Sequence, residues 1–147
     1  MIEVDGDLMH AIEQYLLEIR ASGDAPNMDR IDRDYSRGPV PGNKVRTVIR
    51  DQGLRGVGKT HKKNIRNVTT EIAFFATDRN VLRSVTSVVL DRFSLVSRQP
   101  SLVSRHMESG SGIVGVDLQG SISSQPQADL WTTKAVFTWL VSVPRTP

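Results

Sequence analysis

The sequence predicts an α+β fold: a mainly antiparallel sheet with two helices packed on one face and a long basic β-hairpin loop. Three observations carry this. Two segments repeat their apolar residues at helical spacing, others alternate with the two-residue period of a strand, and the order is helix, strands, helix, strands. At 147 residues the chain has the length of one ordinary domain, so residues 1–147 are expected to form a single unit.

The first helix is predicted over 7–21. Leu8, Ile12, Tyr15, Leu16 and Ile19 share one face, Asp5 or Asp7 can cap the start, and Gly23 supplies a left-handed stop after Arg20. From Ser22 to Asn43 turn formers dominate, and Pro39 and Pro41 keep the backbone extended, so a long loop is expected. KVRTVIRD, 44–51, alternates apolar and basic residues and reads as a short, half-exposed strand. NVTTEIAFFAT is β-branched and aromatic, with Val68, Thr70, Ile72 and Phe74 on one face and Asn67, Thr69, Glu71 and Phe75 on the other.

Asp78 then caps a second helix reaching about Phe93, with Val81, Leu82, Val85, Val88, Val89 and Phe93 along its apolar stripe. SLVSR recurs seven residues apart, too short a repeat to be an architectural unit. MESGSG reads as a turn, GIVGVDLQ as a short strand and SISSQPQAD as a polar loop. LWTTKAVFTWLVSV, with Trp131, Thr133, Ala135, Phe137, Trp139 and Val141 on one face, is expected to be the longest strand and central. Trp131, Phe137 and Trp139 are assigned to core or subunit-interface packing.

Composition excludes several classes. Apolar residues make up 38% and charged residues 24%, lean but globular, and open to completion by neighbouring subunits. With no cysteine there are no disulfides, thiolate metal sites or cysteine nucleophiles. The amino terminus has acids where a signal peptide needs bases, and no apolar run approaches the roughly 20 residues that span a bilayer. A soluble protein without membrane contact is expected.

The net charge of +3 is unevenly spread. Glu3, Asp5, Asp7, Glu13 and Glu18 precede the first base, Arg20. Lys44, Arg46, Arg50, Arg55, Lys59, Lys62, Lys63 and Arg66 crowd one segment against Asp51 alone. That segment contains GLRGVGKT, 53–60, which matches the phosphate-loop pattern G-x-x-x-x-G-K-[ST]. A phosphate loop joins a buried apolar strand to a helix whose first N–H groups meet the phosphates. Here the strand before it is studded with arginines, the residues after it have a two-residue period, and no later apolar strand ends in an aspartate for magnesium. A β-hairpin with a basic, glycine-rich tip is the better reading. Its bases suit a solvated loop, nucleic-acid phosphates or an acidic protein surface, and no aromatic residue interleaves them for base stacking.

Other chemistry is sparse. His10, His61 and His106 have no partner at metal-ligand spacing, no G-x-S-x-G elbow occurs, and no carboxylate pair is placed for acid–base work. No catalytic residue, metal site or cofactor is predicted, and the protein is not expected to be an enzyme.

ADLWTTKAVFTWLVSV, with Leu130, Trp131, Thr132 and Thr133 after a polar loop, resembles the last strand of tail terminator proteins of long-tailed, lambda-like phages. VTTEIAFFATDRNVLRSVTSVVLDRF resembles that family's strand, break and helix, and the first helix with its proline-containing loop also agrees in order and length. The basic segment at 53–66 departs from the pattern. The resemblance implies a structural virion protein: a homo-oligomeric ring, usually of six, on the head-proximal end of the tail tube. It would stop tube polymerisation and offer a docking surface to head-completion or connector proteins, after assembly in the host cytoplasm. On that reading Arg46, Arg50, Arg55, Lys59, Lys62, Lys63 and Arg66 form a protruding hairpin that meets the tube protein, the connector or DNA in the lumen, and the acidic first helix is available to a neighbour. A head–tail connector or head-completion subunit is the near alternative. A basic nucleic-acid-binding module and a P-loop nucleotide binder are more distant ones.

Overall fold

The apolar face of the first helix draws it against the sheet. In the computed structural model, which describes residues 4–51, 65–108, 110–127 and 130–142, α1 (Val4–Ser22) buries Leu8, Ile12, Tyr15, Leu16 and Ile19. It ends where Gly23 adopts φ +84°, the left-handed stop expected there. Because the helix already begins at Val4, Asp7 is not its cap: it is buried inside the helix and accepts the backbone N–H of Glu108 at 2.7 Å.

After α1 come β1 (Met28–Arg33), β2 (Val45–Asp51), β3 (Ile65–Ala76), α2 (Arg79–Arg98), the single-turn α3 (Ser101–Ser104), β4 (Gly112–Gln127) and β5 (Leu130–Ser142). The five strands form one sheet in the order β1-β2-β3-β5-β4; β1 and β2 run parallel and every other pair antiparallel. This is the expected α+β arrangement, with α3 as an additional short helix. β2 and β3 pair antiparallel from Val45 opposite Ala76 to Asp51 opposite Thr70, as a hairpin requires.

Four expectations are corrected. The segment 22–43 is not all loop, because MDRIDR forms β1, whose charged residues find partners on β2 and α1. β2 is mostly buried rather than half-exposed, since it lies between two strands and both its faces are covered. The second helix passes Phe93 to Arg98, because Val96 extends its buried stripe. β5 is interior as expected but not the longest: GIVGVDLQ and the polar SISSQPQ join into the 16-residue β4, against 13 residues for β5. The cap of α2 is as read, with the Asp78 carboxylate accepting the N–H of Asn80 at 2.8 Å.

The period of two sorts the sheet into unlike faces. Toward the helices point Val68, Thr70, Ile72 and Phe74 of β3 and Ala135, Phe137, Trp139 and Val141 of β5, all buried. Phe93 of α2 is the hub of that layer. Its ring centroid lies 5.2 Å from those of Tyr15 and Phe137 and 6.1 Å from that of Trp139, and the Trp139 indole N–H donates to Thr70 Oγ1 at 2.8 Å. The opposite, outer face carries Arg46, Val48 and Arg50 of β2, Glu71, Ala73 and Phe75 of β3, and Val136 and Leu140 of β5.

Candidate functional site

No helix covers the outer face at its β1–β2 end; a loop does, and Arg46 holds it there. The alternation of β2 points Arg46 away from the helices, and β1 beside it presents two aspartates. Nε and Nη2 of Arg46 both lie 2.8 Å from Asp29 Oδ2, and Nη1 lies 3.3 Å from Asp32 Oδ2. Nη1 also donates to Ser36 Oγ at 3.1 Å and to the Arg37 carbonyl at 2.8 Å, and Nη2 donates to the Pro39 carbonyl at 3.2 Å.

Only 3% of the Arg46 side chain is exposed. A buried guanidinium is tolerated when its donors are met in this way, because removing it from water costs several kcal/mol on the order-of-magnitude scale of buried ions. Asp32 works from the other side, accepting the Arg37 backbone N–H at 2.8 Å and the Arg30 Nε–H at 3.2 Å. Arg30 also donates to the Arg37 carbonyl, and Arg50 Nε donates to the Asp34 carbonyl at 2.9 Å.

The 34–43 segment is thus tied down through its backbone and the Ser36 hydroxyl, while Tyr35 and Arg37 are exposed. Tyr35 is 60% exposed, with the Arg37 guanidinium carbon 5.5 Å from its ring centroid. Burial would raise the pKa of Asp29, but the hydrogen bond from Arg46, the backbone N–H of Arg30 and the charges of both arginines outweigh it and hold the carboxyl below its ordinary value.

Of the bases expected on a protruding hairpin, the three that are described, Arg46, Arg50 and Arg66, do not form one group. Arg46 is corrected outright: it is a buried structural residue, because the aspartates of β1 claim its charge. Arg50 is a third exposed and lies 3.5 Å from Glu71. Arg66 is exposed near the start of β3, opposite Val141. Arg55, Lys59, Lys62 and Lys63 lie outside the described residues, as does the GLRGVGKT motif. The flanking strands pair antiparallel with each other, which is hairpin geometry and not the parallel crossover of a phosphate-loop sheet.

Trp139 and Phe137 are core; Trp131 is partly buried at the start of β5, with the Arg79 guanidinium carbon 5.4 Å from its ring centroid. Asp7, Glu13 and Glu18 of α1 are engaged within the chain. Glu13 binds Arg33 at 2.7 Å, and Glu18 binds Arg105 and His106. His10 Nε2 lies 3.7 Å from Glu108. Among the described residues no group of three His, Asp or Glu is placed to hold a metal ion, and no helix is long and apolar enough to cross a membrane.

Sequence reading missed Asp29, Asp32, Tyr35 and Arg37. The available signal was the acid–base alternation of MDRIDR, which places both charge signs on one short strand beside an arginine-bearing one.

No protein-family model and no curated protein sequence matches the chain. Among solved structures, a chain of the virion of a native gene transfer agent particle is similar, with a TM-score of 0.60 and 16% identity over 97% of this chain and 99% of that one. The likeness covers nearly all of both chains, so the two share one fold.

Proposed function

We propose that this chain is a structural virion protein, a tail terminator that assembles as a ring, usually of six subunits, on the head-proximal end of a tail tube. There it stops tube polymerisation and offers a docking surface to head-completion proteins. The observation that carries the reading is the full-length fold likeness to a chain of a virion particle. The sequence resemblance to lambda-like tail terminators agrees with it. The described structure is compatible: the Arg46 cluster is engaged in holding β1, β2 and the loop together, and a sheet with open outer strands can be completed by neighbours.

Arg50 and Arg66, with Arg55, Lys59, Lys62 and Lys63 between them in sequence, are proposed as the partner-contacting bases. Arg46 is the residue that positions the loop beside Arg50.

Light scattering across a wide concentration range, with electron microscopy of the largest species, tests the assembly. Closed rings are expected. The functional step is tested by adding the protein to polymerising tube subunits of the same particle. Capped tubes of restricted length are the expected outcome, and tubes that grow unchanged in its presence would sink the terminator role.

A further inference from the structure

Two exposed patches lie at opposite ends of the sheet, and their chemistries are complementary. At the β1 end stands the pinned loop, with Tyr35 60% exposed and Arg37 stacked over it. The Arg37 side chain has no carboxylate partner among the described residues; the hydrogen bonds that fix this residue use its backbone N–H and carbonyl. At the β4 end, Val114 is 53% and Leu140 39% exposed, and Asp117 is exposed beside them; Leu118 lies opposite Phe137 and so belongs to the helix-side face. Asp117 pairs across from Thr138 and Gly115 from Leu140, so Asp117 and Leu140 share the outer face with the pinned loop. Asp117 makes no ion pair among the described residues.

The two outer strands also differ in how they are guarded. β1 carries Asp29, Arg30, Asp32 and Arg33 in six residues, the charge that keeps an outer strand from pairing with strangers. β4 has Asp117 as its single charge in 16 residues. An outer strand so weakly charged, with apolar side chains exposed beside it, is suited to being covered.

We propose that the Tyr35–Arg37 loop of one subunit docks on the Val114–Asp117–Leu140 patch of the next, a second copy of this chain. The Tyr35 ring then covers the aliphatic side chains while Arg37 pairs with Asp117. A patch that meets a different patch on its neighbour makes a head-to-tail contact, and such contacts close into rings when the rotation allows. The two patches are set apart by the width of the sheet, roughly 19 Å for five strands at about 4.8 Å spacing, as a head-to-tail contact needs. Duplex DNA fits the loop less well, because exposed Asp34 adjoins Tyr35 in a patch of mixed sign. An aromatic–arginine centre held rigid in advance is the usual make-up of a protein contact.

The inference rests on the ring reading and is tested apart from it. Light scattering is compared for the unaltered protein, Tyr35→Ala, Arg37→Asp, Asp117→Arg and the double exchange Arg37→Asp with Asp117→Arg. Thermal melting checks each fold, which the pins through the loop backbone should leave intact. The expected result is rings for the unaltered protein, a concentration for half-assembly raised about tenfold or more by each single change, an effect of hot-spot size, and recovery in the double exchange. Rings that form equally well with Arg37→Asp and Tyr35→Ala overturn the docking and leave the ring reading standing. Weakening by Arg37→Asp without recovery in the double exchange overturns the pairing with Asp117. Monomers of the unaltered protein at every concentration overturn the ring reading and the docking with it.

Discussion

The two faces of the sheet are held by different physics. On the helix side, Phe93 packs edge to face against Tyr15 and Trp139, with Phe137 tilted against Phe93 and Trp139, and the stabilisation is burial of large apolar surface. On the outer side at the β1–β2 end, one guanidinium collects two carboxylates, a hydroxyl and two carbonyls. Apolar packing has no direction and tolerates small shifts; a hydrogen-bonded guanidinium fixes orientation. The difference teaches that the helix layer supplies most of the folding energy, whereas the Arg46 cluster decides where one loop stands.

Removing the largest member of the apolar layer should have the greatest effect. Trp139→Ala takes away a fully buried ring and leaves Thr70 without its indole donor, and is expected to cost about 3–5 kcal/mol in denaturant unfolding. A loss below about 1 kcal/mol would mean that the helices do not depend on this contact.

Next comes Arg46→Ala, which strands Asp29, leaves Asp32 with Arg30 as its ion-pair partner, and leaves the loop held by its bonds to Arg30, Asp32 and Arg50. The expected loss is about 3 kcal/mol, in the range for breaking one side of a buried ion pair. The location of the loss distinguishes it from the first variant: hydrogen exchange should quicken across 29–43 while the aromatic layer stays protected. The same cluster sets an acid response. The Asp29 pKa is lowered on folding, so its contribution is present above the unfolded carboxyl value, about 3.9, and is lost as pH falls through the lower folded value. Arg46→Ala should flatten that part of the stability profile.

Much of the helix side was legible in sequence, and much of the outer side was not. The helical periods, the Asp78 cap, the Gly23 stop and the alternation of β3 and β5 are local patterns that depend on one buried face. β1 escaped because MDRIDR lacks an apolar alternation: Asp29 and Asp32 serve an arginine 14 to 17 residues away. Arg46 was placed outside for the same reason, since a base reads as exposed until its partners are in place. The second half of β4 escaped because SISSQPQ is polar, as an outer strand can be.

A smaller effect of opposite sign is expected at Thr47. Its hydroxyl is buried in β2 opposite Phe74 and has no hydrogen-bond partner among the described residues. Thr47→Val keeps the shape and removes an unmet polar group, so a gain of about 1 kcal/mol is expected. A loss on urea unfolding would show that the hydroxyl is bonded in solution.

The smallest change probes the seam between the helices. The Tyr15 hydroxyl donates to the Arg92 carbonyl at 2.9 Å, and Tyr15→Phe keeps the ring contact with Phe93 while deleting that bond. A loss of about 1 kcal/mol or less is expected. Burial, partly offset by the Arg92 and Arg105 charges, raises the Tyr15 pKa on folding. The folded state therefore keeps its phenol proton after the unfolded chain, with its ordinary value near 10, has begun to lose it. Stability is undiminished below that pH and declines as pH rises toward the folded value, the reverse of the Asp29 profile. Tyr15→Phe should abolish this alkaline decline and leave the acid limb untouched, whereas Arg46→Ala should do the opposite. If both variants altered both limbs, the two faces would be one coupled network and not two independent ones.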